Sequence, residues 1–123
     1  MKILLSINPE YVEKIFLGEK LYEYRKLLPK KEISTVVIYA TRPVAAIVGE
    51  FEVEDIYRFS PQILWEKTKQ YSGVSSKFFF QYFKGKEIAH AFKVGSVVRY
   101  SEPKKLSDVL HSNVPPQSFC YLL

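Results

Sequence analysis

The sequence predicts an α+β fold, a small mixed or antiparallel β-barrel with helices plugging or flanking it. Three observations carry that expectation. The 123 residues allow one hydrophobic core, and so one domain over 1–123. The elements read β-α-β-β-β-α-α-β-β, so strands outnumber helices. Helices and strands do not alternate regularly, which argues against a doubly wound parallel sheet.

Each element has a local reason. Residues 2–7, KILLSI, form a short apolar run and read as a buried first strand. Asn8-Pro9 then starts a helix: Asn is a good N-cap, and proline fits the first helical position, where no N–H is needed. Val12, Ile15 and Phe16 give that helix an apolar stripe, and Gly18 suits the left-handed position beyond its end. Residues 20–26 read as a strand with Leu21, Glu23 and Arg25 on one face and Lys20, Tyr22 and Tyr24 on the other. TVVIYAT (35–41) is β-branched with little alternation, hence buried on both faces. A long strand follows from Val44 to about Tyr57, alternating apolar residues with Glu50, Glu52 and Glu54 on a wet far side. Ser60-Pro61 opens a helical segment to about Tyr71, and Ser75 or Ser76 caps another that ends at Gly85. Residues 88–100 form a second long strand with a bulge or bend expected at Gly95-Ser96. LSDVL (106–110) reads as a short turn and 118–122 as a closing strand.

Composition narrows the function classes without choosing one. Eighteen basic and thirteen acidic residues give a net charge of +5, permissive for nucleic acid but far from a histone-like excess. One cysteine, Cys120, forms no internal disulfide and is expected buried and inert. The apolar run at the start is too short for a secretory signal or a membrane span, so the expectation is a cytoplasmic protein with no membrane partner. His90 and His111 lack partners at ligand spacing, and no glycine-rich phosphate loop occurs; neither a metal site nor a cofactor is expected. His90, inside a strand, reads as a hydrogen-bonded structural histidine.

The stretch GEKLYEYRK (18–26) is the one that asks for chemistry. Glu23 and Arg25, two apart on a strand, project side by side and can pair with each other or share a ligand. Arginine offers a rigid fork for phosphate or a base edge, and lysine a mobile point charge. A carboxylate accepts from an exocyclic amine, and Tyr22 and Tyr24 are candidate stacking faces, worth about 1–3 kcal/mol per base where stacking occurs. The alternative is an ion pair that merely neutralises two half-buried charges.

The pattern G-x-K-x-x-E-x-R at Gly18, Lys20, Glu23 and Arg25, with IYATRPVAAIVGEFEVEDI and PPQSFCYLL, resembles the ASCH domain of the PUA-like superfamily, in its small stand-alone prokaryotic and phage form. The resemblance covers nearly the whole chain. It implies a PUA-like small mixed β-barrel whose motif lines a cleft against the first helix, with RNA or a nucleotide as ligand. DNA and a protein partner stay open, the latter as a transcription-related interaction module. One branch of the family deacylates N4-acetylated cytidine with a lysine, a threonine two residues before the motif arginine, and a later glutamate. Lys20 matches that lysine, but Glu23 stands at the threonine position, so the reading leans away from that hydrolysis. Another branch includes reported ribonucleases, for which Lys20 is the candidate catalytic residue. Arg42, beside a turn, and Gln117 and Ser118 of the tail are expected as further walls of the cleft.

Charge is unevenly placed: residues 18–31 net +3, 67–105 net +7 and 50–58 net −3. If the two basic regions meet at one mouth they form a funnel for a phosphate backbone; if scattered, they are a solvated exterior.

Overall fold

The computed structural model describes residues 1–122. Six strands form one mixed sheet in the order β2-β5-β4-β3-β1-β6: β1 Lys2–Ile7, β2 Tyr22–Arg25, β3 Thr35–Ala40, β4 Ala46–Phe59, β5 Ala89–Lys104 and β6 Phe119–Leu122. Only β1 and β3 run parallel; the other neighbours are antiparallel. The sheet is a half-barrel, since β2 and β6 remain its two edges. Its curvature goes with the long antiparallel β4–β5 pair, whose register shifts around Val48 and between Phe51 and Asp55. Gly95 and Ser96 of β5 together oppose the single Glu52 of β4, so the expected bulge is there.

Helix α1 (Pro9–Phe16) starts as anticipated, with the Asn8 side chain accepting from Glu10 N at 2.9 Å and Pro9 at the first position. It ends at Phe16, and Gly18, at φ +78°, turns the chain out as expected. Helix α2 (Pro61–Thr68) passes into a 3₁₀ turn, Lys69–Tyr71; α3 spans Ser76–Tyr82. LSDVL, read as a turn, closes into one more short helix, α4 (Leu106–Leu110). The strand set predicted from sequence is otherwise present, with ends moved by a few residues.

Three apolar clusters fix this arrangement. The concave face holds Ile3, Leu5 and Ile7 of β1, Val36 and Ile38 of β3, Phe51 and Phe92, all under the Val12 and Ile15 stripe of α1. On the opposite face, Leu4, Val37, Tyr39 and Ile47 pack under Leu106 of α4. Strand β3 therefore buries all six residues, which is why its sequence lacks alternation. At the far half of the sheet, Tyr22, Tyr24, Ala89 and Ala91 pack against Leu64 of α2 and Phe79 and Phe83 of α3. No helix among the described residues is long and apolar enough to cross a membrane.

Candidate functional site

The half-barrel leaves a seam between β2 and the end of β1. Strand β6 pairs with β1 only as far as Leu5, so the last residues of β1 lie beyond it. Arg25 crosses that seam: its Nη2 donates to Ser6 O at 2.8 Å and to Glu23 Oε2 at 3.1 Å. Around this pair lies a pocket of about 180 Å³, walled by Ser6, Asn8 and Tyr11 on one side and Lys20, Phe78 and Tyr82 on the other. That volume lies below the roughly 300–1,000 Å³ of pockets for drug-sized ligands. A planar fragment fits inside; anything larger must lie over the rim.

Glu23 and Arg25 share a face, as alternation requires, and the Glu23 side chain is only 8% exposed and that of Arg25 15%. Arg25 is incompletely satisfied. Its buried Nε is, among the described residues, the one buried side-chain nitrogen or oxygen without a hydrogen-bond partner. An unpaired buried donor costs about 1–3 kcal/mol, so its persistence in a residue that lines the pocket needs an explanation.

Lys20 corrects the sequence reading. Alternation placed it on the face opposite Glu23, yet it lines the same pocket. The reason is that β2 begins only at Tyr22. Lys20 and Leu21 belong to a link in which Lys20 N donates to Lys14 O and Leu21 N to Tyr71 O, so strand periodicity does not reach back to them. The side chain is 1% exposed and donates from Nζ to Ser72 O at 2.6 Å. Its ammonium stands 4.8 Å from the Tyr24 ring centroid, and Gly73, at φ +69°, closes over its stem. Burial pulls the amine from 10.5 down to about 8; Glu23 opposes this, while Lys14 and Arg25 reinforce it. A lysine held there stays mainly an ammonium at neutral pH but releases its proton at mildly alkaline pH, giving the neutral amine needed of a base or nucleophile.

The two motif tyrosines are structural. Tyr22 packs against Tyr57 at 5.6 Å and does not line the pocket. Tyr24 forms part of the pocket floor, but its ring sits edge-on to Phe79 at 4.9 Å and its hydroxyl lies 2.6 Å from Thr68 Oγ1. Burial drives its phenol far above the ordinary tyrosine range. The rings at the rim are instead Tyr11, Phe78 and Tyr82, with Phe78 and Tyr82 nearly parallel and 6.1 Å apart. Sequence reasoning missed Tyr11 and Tyr82 as site residues, and read the Phe78–Phe80 run as core packing ahead of a lid over the cleft or a dimer contact. The available signal was the four-residue spacing of Phe78 and Tyr82 on α3, which puts them on one face. Phe79, between them in sequence, is the core residue.

The remaining expected walls lie elsewhere. Arg42 lines a separate, wider hollow of about 640 Å³ with Tyr39, Lys105 and Asn113. Gln117 is exposed and Ser118 half-buried, neither lining the pocket; the tail meets the seam at Pro116 O, which accepts from Ser6 Oγ at 3.0 Å. The turn that carries Arg42 joins β3 to β4, and β6 pairs with β1 over Lys2–Leu5, short of Ser6. Nor do the basic regions fully converge. Lys14 and Lys26 stand at the cleft, within 5.9 Å of Tyr11 and 4.7 Å of Tyr82. Lys67, Arg99 and Lys104 cover Phe59, Phe16 and Tyr100 on other parts of the surface. Among the described residues no three His, Cys, Asp or Glu side chains are grouped to hold a metal ion.

This fold is that of one protein class. The ASCH domain family matches residues 5–105, and the chain belongs to it. The crystal structure of ASCH from Zymomonas mobilis superposes with a TM-score of 0.91 at 29% identity, covering 99% of this chain and 87% of that one. An ASCH domain-containing ribonuclease from Zymomonas mobilis is 30% identical over 97% of the chain and 82% of its own length. A Ureaplasma parvum protein named ATP synthase subunit alpha is 34% identical over 98% of the chain, but the chain spans only 15% of that relative's length. The architecture is thus the α+β, PUA-like fold of this family, in half-barrel form.

Proposed function

We propose that this chain binds RNA, drawing a base or phosphate of one nucleotide into the cleft between Lys20, Glu23 and Arg25. The observation that carries the reading is the unpaired, buried Nε–H of Arg25, a residue that lines a pocket already holding a carboxylate and an ammonium. A ligand acceptor on that donor completes the guanidinium, while Glu23 Oε1 accepts from a base amine. The rings of Tyr11, Phe78 and Tyr82 at the rim supply stacking surface for a neighbouring base. Family membership and the relative named as a ribonuclease support RNA over other anions. The test is a titration of labelled protein with short RNA at several salt concentrations, on wild type and Arg25→Ala. Binding should weaken as a power of salt and fall in the variant; equal affinity in the two proteins refutes the reading.

A second reading, RNA cleavage, is favoured by Lys20. Its amine at about 8 is a usable general base at neutral to mildly alkaline pH, and the Zymomonas mobilis relative is named as a ribonuclease. Product analysis of the same titration samples decides it. An enzyme yields cut RNA at a rate that rises through about pH 8, and Lys20→Ala abolishes the cutting; intact RNA throughout excludes cleavage.

A further inference from the structure

Beside the cleft, three strands align three side chains in one row. Arg25 of β2 stands opposite His90 of β5, and His90 stands opposite Arg58 of β4. Directly opposed residues of antiparallel strands project to the same side. The row therefore lies on the concave face, one layer from the Glu23, Phe92 and Ile56 row. It runs outward from the cleft: Arg25 and His90 are half-buried, and Arg58 is exposed. With strands about 4.7–4.9 Å apart, the outer two backbones are separated by roughly 10 Å. Arg58 makes no ion pair among the described residues.

His90 is oriented within this row. Its Nδ1 lies 3.2 Å from Lys26 O, and a carbonyl can only accept, so Nδ1 carries the proton. Burial first, then Arg58, holds the ring below the ordinary histidine range, opposed by the backbone of Lys26 and Arg25, and the neutral ring keeps a lone pair on Nε2. Two guanidiniums that only donate thus flank one imidazole nitrogen that accepts. A phosphate backbone offers acceptors to the guanidiniums whatever the sugar, but only ribose offers a hydroxyl donor at the 2′ position.

We propose that the Arg25–His90–Arg58 row carries the sugar–phosphate backbone away from the cleft, the arginines taking phosphates and His90 Nε2 accepting a ribose 2′-hydroxyl. The row, rather than the cleft, then selects RNA over DNA; the assignment rests on the RNA-binding reading above. The experiment measures binding of one short RNA, the DNA of the same sequence, and RNAs carrying a single 2′-deoxy sugar at each position. Wild type should prefer RNA, with one 2′-deoxy position costing about fivefold, the worth of a typical hydrogen bond. His90→Phe should lower RNA affinity by a similar factor, leave DNA affinity unchanged and become insensitive to that 2′-deoxy substitution. Arg58→Ala should weaken RNA and DNA alike and reduce the salt slope by about one. An unchanged RNA-to-DNA ratio in His90→Phe, or a 2′-deoxy penalty that persists in it, overturns the assignment. The deoxy change lies in the ligand, so the folding of a variant cannot mimic it. If wild type binds no RNA, the cleft reading itself fails and the row falls with it. If RNA binds and Arg25→Ala weakens it while His90→Phe keeps the wild-type ratio, only the row is refuted.

Discussion

Lys20 should make the stability of this protein rise with pH where most groups have little effect. The side chain is 1% exposed, and burial holds its amine at about 8 against 10.5. At 1.36 kcal/mol per pH unit, that difference corresponds to about 3 kcal/mol. Below pH 8 both folded and unfolded chains hold the proton, and the full cost of the buried ammonium stands. Between pH 8 and 10.5 the unfolded chain keeps the proton while the folded chain releases it. The unfolded state then binds more protons, and the free energy of unfolding increases with pH. The comparison is wild type against Lys20→Met, a change that keeps the stem and deletes the charge. Losing the hydrogen bond to Ser72 O shifts the variant's curve vertically without tilting it. Tyr11, Tyr22, Tyr24, Tyr82 and Tyr100, all pushed up, lower stability above about pH 10 by ionising first when unfolded, and the two proteins share this effect. Urea unfolding followed by Trp65 fluorescence at pH 7, 8, 9 and 10 reads the difference. Wild type should gain about 2–3 kcal/mol relative to the variant across that range. Parallel curves would refute a buried, neutralisable Lys20.

Two further substitutions test how the site is built. Gly73→Ala meets both a left-handed backbone at φ +69° and Lys20 Cγ at 2.6 Å, whereas Gly18→Ala at φ +78° meets nothing within 4 Å. Both should lose about 1–2 kcal/mol to backbone strain, and only Gly73→Ala should lose more and also flatten the pH dependence just described, as read by the same urea series. Thr68→Val leaves the buried Tyr24 hydroxyl without its partner at 2.6 Å and should cost about 1–3 kcal/mol. Adding Tyr24→Phe to it should recover much of that loss in thermal unfolding, since two apolar groups of similar shape then face each other.

Local rules made much of the frame legible. The Asn8-Pro9 start, the Gly18 exit and the two-sided burial of β3 each depend on residues within one element, where propensity and periodicity act directly. The Glu23–Arg25 pairing followed from strand alternation alone. What escaped depended on distant segments. Lys20 turns into the cleft because Leu21 is tied to Tyr71 and the Ser72–Gly73 turn folds over its side chain, contacts some fifty residues away. Tyr22 and Tyr24 are buried because α2 and α3 cover that face of β2, and nothing in YEY itself states this. Arg42 and the tail were assigned to the cleft by likeness of sequence stretches. The β3–β4 turn instead carries Arg42 to its own hollow, and the pairing of β6 with β1 stops at Leu5, short of the seam. The α3 rings share a short aromatic run, but such a run does not say which ring faces the core and which the pocket.

The central claim is that Arg25 Nε–H, buried without a partner, waits for an acceptor brought by RNA. Its ¹H–¹⁵N signal, recorded as a short RNA is added, tests this directly. The account predicts that the Arg25 Nε–H resonance moves and exchanges more slowly with water as RNA saturates, while that of Arg42, in its separate hollow, stays in place. An Arg25 signal that does not move at saturating RNA, with shifts appearing elsewhere on the surface, contradicts it.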